Sequence, residues 1–513
     1  YRMKSLGWIT QEMYLKAVKE SPEVYRTSLT QNKAPFIVDE VLRRFNGRLG
    51  DIRTGGYKIY TTIDMDQQRI AGEAVDFAYQ QALEKFNEQE GNTTLNAAFV
   101  SVESATGNIL SMIGGESYER SSFNRVTQVE RQPGSAFKPF IYQTALDMGY
   151  NPATPLTDIS RSFQYTYKGK PKIWAPKNYE KNFKGFMPLR EALVHSRNLA
   201  TVNLVVDLKV STIRKRLKFL DVPHIPRDMS IALGNLGVSP LKMAQIFSVF
   251  ANNGHMIEPR LVSKIISKEG AVIYETRPKE IADFTTPEQA YLMTDILKDV
   301  VKRGTGRRAR VEGIELAGKT GTTNNSVDAW FCGYSPTIET IVWFGRDDNT
   351  PIGKRGATGG GLAAPAFSYY YRELLQLYPD MKTTFDIPDG VMRGYYKDKE
   401  EIYTVNSPLP AEERKHEFID FERRPSDVNG TGEDFYTMDS MEMEVINYGY
   451  EDIVEDDINR EGQLTAEDLI LLEEEKNPGL SQEEQKEKKR DKALHPERKV
   501  PQTTVSDDSG ALF

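Results

Sequence analysis

Short strand-like runs stand at both ends of roughly 200 residues whose pattern is mostly helical, and this arrangement narrows the possible folds more than any other feature. At one end, residues 97–102 and 108–113 are joined through Ser104-Ala105-Thr106-Gly107, a hairpin signal. At the other end, strand-like runs fall around 314–318, 327–333 and 340–344. Helical stretches between them include 139–148, 189–199 and 240–252, and a further helix is expected over 64–86 with Ile70, Ala74, Phe77 and Ala78 on one side. Strands that must pair across a helical body imply an α+β domain: an antiparallel sheet of about five strands flanked by helices, with a helical subdomain.

At 513 residues the chain is long enough for two or three domains. Its single cysteine, Cys332, excludes a disulfide within the chain, and its place in Ala329-Trp330-Phe331-Cys332 reads as a buried strand. No apolar run approaches the roughly 18–20 residues of a membrane span, so the chain reads as a soluble polypeptide. Charge is uneven. Residues 427–475 hold 17 Asp or Glu against one basic residue, Arg460, a net of −16 that leaves +8 for the rest of a chain totalling −8. The basic body fits an ordinary solvated surface or proximity to an anionic wall or membrane. Aromatic and basic residues do not interleave as in nucleic-acid binders, and the five histidines show no metal-ligand spacing.

In Gln132-Pro133-Gly134-Ser135-Ala136-Phe137-Lys138 a hydroxyl and an amine lie three residues apart at the start of an expected helix, which stacks them on one face. A serine needs a base within reach to become a nucleophile, and a lysine held neutral can serve. Alone, the spacing equally describes an N-cap serine beside a solvated lysine. Two further pieces follow, the first about 60 residues on and the second about 120 residues beyond that: Ser196-Arg197-Asn198, and Lys319-Thr320-Gly321-Thr322, whose glycine lets a backbone approach a ligand.

This trio resembles the S-x-x-K, S-x-N and K-T-G motifs of penicillin-binding proteins and serine β-lactamases. The resemblance continues from about residue 56 to about 368, through Gly56-Tyr57-Lys58-Ile59-Tyr60-Thr61-Thr62-Ile63-Asp64, Phe123-Asn124-Arg125-Val126, Pro176-Lys177-Asn178-Tyr179, Ala232-Leu233-Gly234 and Gly359-Gly360-Gly361. It is to the transpeptidase portion of class A, bifunctional, penicillin-binding proteins. It implies their α+β fold and the following expected layout: 1–60 as the end of a glycosyltransferase domain and linker, 61–375 as the transpeptidase, 376–425 as an extension, 426–475 as an acidic segment and 476–513 as a disordered tail. The glycosyltransferase activity, and a membrane helix anchoring the whole protein on the extracytoplasmic face of the bacterial membrane, are expected outside this chain.

The resemblance assigns Ser135 as nucleophile and Lys138 as its base. It makes Ser196 a proton relay between two amines and gives Asn198 the tasks of binding substrate and orienting Lys138. Lys319, Thr320, Gly321 and Thr322 would receive the carboxylate of a D-alanine terminus or of a β-lactam. The backbone N–H groups of Ser135 and Thr322 would form an oxyanion hole. For Lys138 to act as base its pKa must fall by roughly three pH units from 10.4, about 4 kcal/mol; burial and the charge of Lys319 push that way.

Peptidoglycan stem peptides, as donor and acceptor, and β-lactam antibiotics are the implied partners, and no cofactor is needed. β-Lactamases of this motif set carry a glutamate about 35 residues past the second motif, whereas here no glutamate lies between Glu191 and Glu258. The expected reaction is therefore D,D-transpeptidation. The alternatives are a D,D-carboxypeptidase or weak β-lactamase, and a non-catalytic wall-binding or β-lactam-sensing module.

Four further features stand beside the motifs. Tyr118 and Asn124 are placed at the cleft edge, and His195 on a helix face. Gly359-Gly360-Gly361 fits either a groove lining or a flexible turn. In the acidic segment, Asp457, Asn459, Glu461, Thr465 and Asp468 match the positions of an EF-hand or dockerin-like calcium loop, against the alternative of chance spacing in an acidic tail.

Overall fold

The computed structural model describes residues 2–19, 32–49, 51–167, 170–353, 356–411 and 445–446. The calcium-loop residues Asp457 to Asp468 lie outside them. The chain divides into two units, 1–163 with 173–446 and 164–172 with 447–513; the three motifs and the five-stranded sheet belong to the first.

The first helix of the sheet domain, α1 (Met65–Phe86), starts where Asp64 accepts hydrogen bonds from the backbone N–H groups of Asp66 and Gln67, and it ends at left-handed Asn87. It buries Ile70, Ala71, Ala74, Val75, Ala78 and Tyr79. Phe77, expected on that face, sits at its edge, 39% exposed and 5.1 Å from the Tyr369 ring.

Five strands follow in chain order: β1 (Leu95–Glu103), β2 (Ile109–Ile113), β3 (Ala317–Thr322), β4 (Asp328–Tyr334) and β5 (Ile338–Arg346). They form one five-stranded antiparallel sheet, as expected from the sequence, and its order is β3-β4-β5-β1-β2. The strands from the two ends of the chain meet where β5 pairs β1, Ile341 opposite Val100. Helices cover both faces, so β1, β4 and β5 are buried almost throughout and read as continuous apolar runs rather than alternating ones. Ala97, Phe99, Phe331, Val342 and Phe344 pack with α1 and with the last helix of the unit, Gly359–Leu377. Tyr334 points to the opposite face, bonded to Thr294 at 2.9 Å and 6.2 Å from the Phe247 ring.

Between the strand groups lies the helical body: α2 (Lys138–Asp147), α3 (Leu189–Val194), α4 (Asn198–Leu208), α5 (Pro240–Ala251) and α6 (Pro287–Lys302). Two expectations change here. The helix expected over 189–199 is broken at residues 195–197, where Ser196 takes φ 54°. The strand expected over 314–318 starts at Ala317 and runs to Thr322, so Lys319 and its neighbours are strand residues.

Candidate active site

Ser135 sits in a short 3-10 turn, Gly134–Phe137, that runs directly into α2, rather than on the α-helix itself. The turn lies against the free edge of β3, and two glycines allow the approach. Gly134 has φ +54°, and a Cβ there would stand 2.7 Å from Thr322 O. A Cβ on Gly321 would overlap Pro133 O and come within 2.9 Å of Ala136 Cβ. Gly321 therefore serves the packing of the chain on itself. Trp330 Nε1 on β4 donates to Gln132 O at 2.8 Å and pins the entry to the turn.

Lys138, the first residue of α2, is fully buried. Its Nζ donates to Ser196 O at 2.9 Å and to Asn198 Oδ1 at 2.8 Å. Burial, reinforced by the nearby Lys319 charge, drives its pKa well below the lysine value. A neutral amine has two N–H groups and one lone pair. Both contacts go to oxygens that only accept, so they use the two N–H groups and leave the lone pair for a hydroxyl proton. Among the described residues, Ser135 Oγ has no hydrogen-bond partner of its own, while Lys138 lies one turn further on.

Lys319 is also fully buried, on the face of β3 shared with its register neighbour Cys332. Its Nζ donates to Ser196 Oγ at 2.9 Å and to Thr320 O at 3.0 Å, and burial lowers its pKa to about 7. Ser196 thus meets one amine through its carbonyl and the other through its hydroxyl. Its left-handed backbone, unfavourable for a non-glycine by about 1–2 kcal/mol, is what turns both groups inward.

Thr320 and Thr322 project to the other face of β3 and line the cavity. The Thr320 hydroxyl shares a 2.7 Å hydrogen bond with Thr305, and the Thr322 hydroxyl accepts from Gly359 N at 3.2 Å. Ser135, Ser196, Asn198, Thr320 and Thr322 border one hollow of about 630 Å³, with the two amines beneath it. Its only lining carboxylate among the described residues is Glu180, paired to Arg197 at 2.8 Å. A hollow of about 730 Å³ around Asp147 and Arg216, at the other end of α2, contains none of the motif residues.

The remaining assignments divide. His195 ends α3, half exposed and 3.4 Å from Glu191, and it also lines the hollow. Tyr118 and Asn124 do not border the hollow. Tyr118 hydrogen-bonds Asp39, and buried Asn124 caps a short helix at Val126 N, because both are taken up in packing ahead of the nucleophile turn. Gly359 and Gly360 open the helix Gly359–Leu377, so the glycine run is no flexible turn, and Gly360 lines the hollow. Sequence reasoning missed Asp158 and the task of Asn178, whose Oδ1 accepts from the backbone N–H of Asn198 at 2.8 Å and of Leu199 at 3.1 Å. The one signal in the sequence is Pro176-Lys177-Asn178-Tyr179, which belongs to the resemblance but carries no role of its own. Among the described residues, no group of three or more His, Cys, Asp or Glu side chains converges as metal ligands, and no helix is long and apolar enough to cross a membrane.

Comparison with known proteins bears on the family and the fold. A family profile described as "Penicillin binding protein transpeptidase domain" matches residues 97–369. Penicillin-binding protein 1A of Pseudomonas aeruginosa is 37% identical over 326 residues, 53% of this chain and 39% of that relative. Penicillin-binding protein 1A of Aquifex aeolicus is 30% identical over 462 residues, 75% of this chain and 63% of the relative. The chain thus spans about 40–60% of the length of these relatives. Among solved structures, penicillin-binding protein 1A from Haemophilus influenzae superposes with a TM-score of 0.68 at 22% identity, covering 80% of this chain and 81% of that one. PonA1 from Mycobacterium tuberculosis, solved in complex with penicillin V, gives 0.57 at 23% identity over 73% of this chain and 97% of that one. At these identities the two structures bear on the fold, whereas the profile covers over half the sequence and includes all three motifs. The chain belongs to the penicillin-binding protein transpeptidase family.

Proposed function

We propose that this chain is a serine D,D-transpeptidase, which joins peptidoglycan stem peptides through an acyl-Ser135 intermediate and is acylated by β-lactams at the same atom. The observation that carries the reading is the buried Lys138 amine, whose two N–H groups are occupied by Ser196 O and Asn198 Oδ1, three residues after a serine whose hydroxyl has no hydrogen-bond partner among the described residues. Its lone pair takes the Ser135 proton as Oγ bonds to the carbonyl carbon of the penultimate D-alanine. The backbone N–H groups of Ser135 and Thr322 receive the oxyanion, worth about 3–4 kcal/mol per donor in comparable sites. As the C–N bond to the terminal D-alanine breaks, the Ser196 hydroxyl, bonded here to Lys319, turns to relay the proton from Lys138 to the leaving amine. The acceptor amine then attacks the ester and Ser135 regains its proton. Lys319 and the Thr320 and Thr322 hydroxyls bind the terminal carboxylate. No cofactor is called for by these steps.

An amine, rather than water, is the acceptor. The one carboxylate bordering the hollow among the described residues, Glu180, is held by Arg197 at 2.8 Å. The test is a stem-peptide donor incubated with and without an added amine acceptor. Amide product formed at the expense of hydrolysis supports the transpeptidase; release of D-alanine with no amide product makes the chain a carboxypeptidase.

A further inference from the structure

We propose that Asp158, Arg197 and Asn178 are positioning residues of the acyl transfer, forming a buried clamp that holds the Ser196–Asn198 turn and, through it, the Lys138 amine. This rests on the assignment of Ser135 and Lys138 above. Asp158 is fully buried and Arg197 and Asn178 are each 3% exposed. Arg197 Nε and Nη2 reach Asp158 Oδ2 at 2.9 and 2.6 Å, and its Nη1 reaches Glu180 and Asn182 at 2.8 and 2.9 Å. The other oxygen of Asp158 accepts from Asn178 Nδ2 at 2.9 Å, and Lys184 N donates to Oδ2 at 3.0 Å. With its Nδ2 fixed, Asn178 aims Oδ1 at the first N–H groups of α4. Asn198 Nδ2 then goes to Lys177 O at 2.9 Å, which leaves its Oδ1 facing Lys138. Each link fixes the orientation of the next, from a carboxylate beneath the turn to the amine beside the serine.

The clamp also carries charge. Three charged groups act on Lys138: Lys319 from β3 and Arg197 from the turn lower its pKa, and Asp158 from the strand Pro155–Asp158 raises it. Tyr142, one turn along α2, bonds Thr201. Of the charges on the other helices against α2, Arg216 pairs with Asp147, Asp295 and Asp299 with Arg190, and Glu191 with Arg303. The two partners of one ion pair should therefore move the acidic limb of acylation in opposite directions.

The test is the rate of acylation by penicillin against penicillin concentration and pH, which separates the acylation step from the initial affinity, for the full chain and for Asp158→Asn, Arg197→Gln and the double variant. Each single variant is expected to lose at least tenfold in the acylation step, with little change in the initial non-covalent affinity. Asp158→Asn should move the acidic limb to lower pH, Arg197→Gln should move it to higher pH, and the double variant should return it toward the wild-type position. Shifts in one direction, or rate losses that only follow the melting temperature, overturn the proposal. Where the pair variants do not fold, Asn178→Ala decides: a tenfold slower acylation step at unchanged affinity supports the clamp, and a wild-type rate overturns it. Absence of acylation in the unmodified chain would instead refute the reading of Ser135, a result that needs no variant.

Discussion

Gly134→Ala tests whether the contact between the nucleophile turn and β3 positions Ser135. Alanine at φ +54° costs about 1–2 kcal/mol of backbone strain. Its Cβ, 2.7 Å from Thr322 O, must retreat by about 0.7 Å to reach the 3.4 Å of ordinary contact, and the obstacle is backbone rather than a movable side chain. Strain and displacement together should destabilise the fold by about 2–3 kcal/mol, or about 3–5 °C for a domain of about 300 residues. The displacement separates Ser135 from Thr322, the two residues whose N–H groups the proposed mechanism assigns to the oxyanion hole. A misplacement approaching 1 Å costs on the order of 10²-fold in rate. Fluorescent-penicillin acylation and a thermal melt on the same protein read both effects. Gly270→Ala is the control, because Gly270 has φ +90° with nothing within 4 Å of an added methyl group, so it carries strain without the clash. The expected pattern is loss of stability in both variants and an acylation defect of about 10²-fold in Gly134→Ala alone. Acylation of Gly134→Ala within twofold of wild type would refute the reasoning.

The other predictions follow from single groups. Ser196→Gly and Ser196→Ala both remove the hydroxyl and should both acylate poorly, but glycine suits φ 54° and should melt higher than alanine by the equivalent of about 1 kcal/mol; equal melting points would contradict this. Lys319, lowered to about 7 by burial, loses its charge as pH rises, so β-lactam capture should fall above about pH 7. In Lys319→Arg, which stays charged, that descending limb should vanish, and its persistence in a stopped-flow pH profile would count against the assignment. Glu339 is fully buried with neither carboxylate oxygen hydrogen-bonded among the described residues, and burial raises its pKa well above 4.5. The stability it contributes is complete below pH 4.5 and is lost as pH rises toward the folded value. Glu339→Gln should therefore gain in melting temperature relative to wild type from pH 5 to pH 9, and a constant difference would rule this out.

What the sequence made legible was decided by how local the causes are. Residues 97–102 and 329–332 read as strands because both faces of the sheet are covered, which leaves a continuous apolar run. The hairpin at Ser104–Gly107 is written in its own four residues. The motifs declared their chemistry through side chains that had to be there. The turn at Ser196 was hidden in an apparently continuous helix because its stabilising partners, Asp158 and Asn178, lie 38 and 18 residues away in the chain, and periodicity carries no trace of them. The strand at Lys319–Thr322 was cut short for a similar reason. Its polar side chains look unlike a strand until Ser196, Thr305 and the 133–137 turn take up their hydrogen bonds and contacts. Phe77 fits the buried stripe of α1 by spacing, yet that stripe is filled by Ala74, Ala78 and Tyr79, and the ring packs on Tyr369 instead.

The central claim is that a buried, uncharged Lys138 makes Ser135 the one nucleophile of the chain. Mass spectrometry of the intact protein after exposure to penicillin, with peptide mapping, addresses it directly. A single adduct of the antibiotic's mass on the peptide containing Ser135, absent from Ser135→Ala and greatly slowed in Lys138→Ala, is the predicted result. No adduct, or an adduct on another residue, would contradict it.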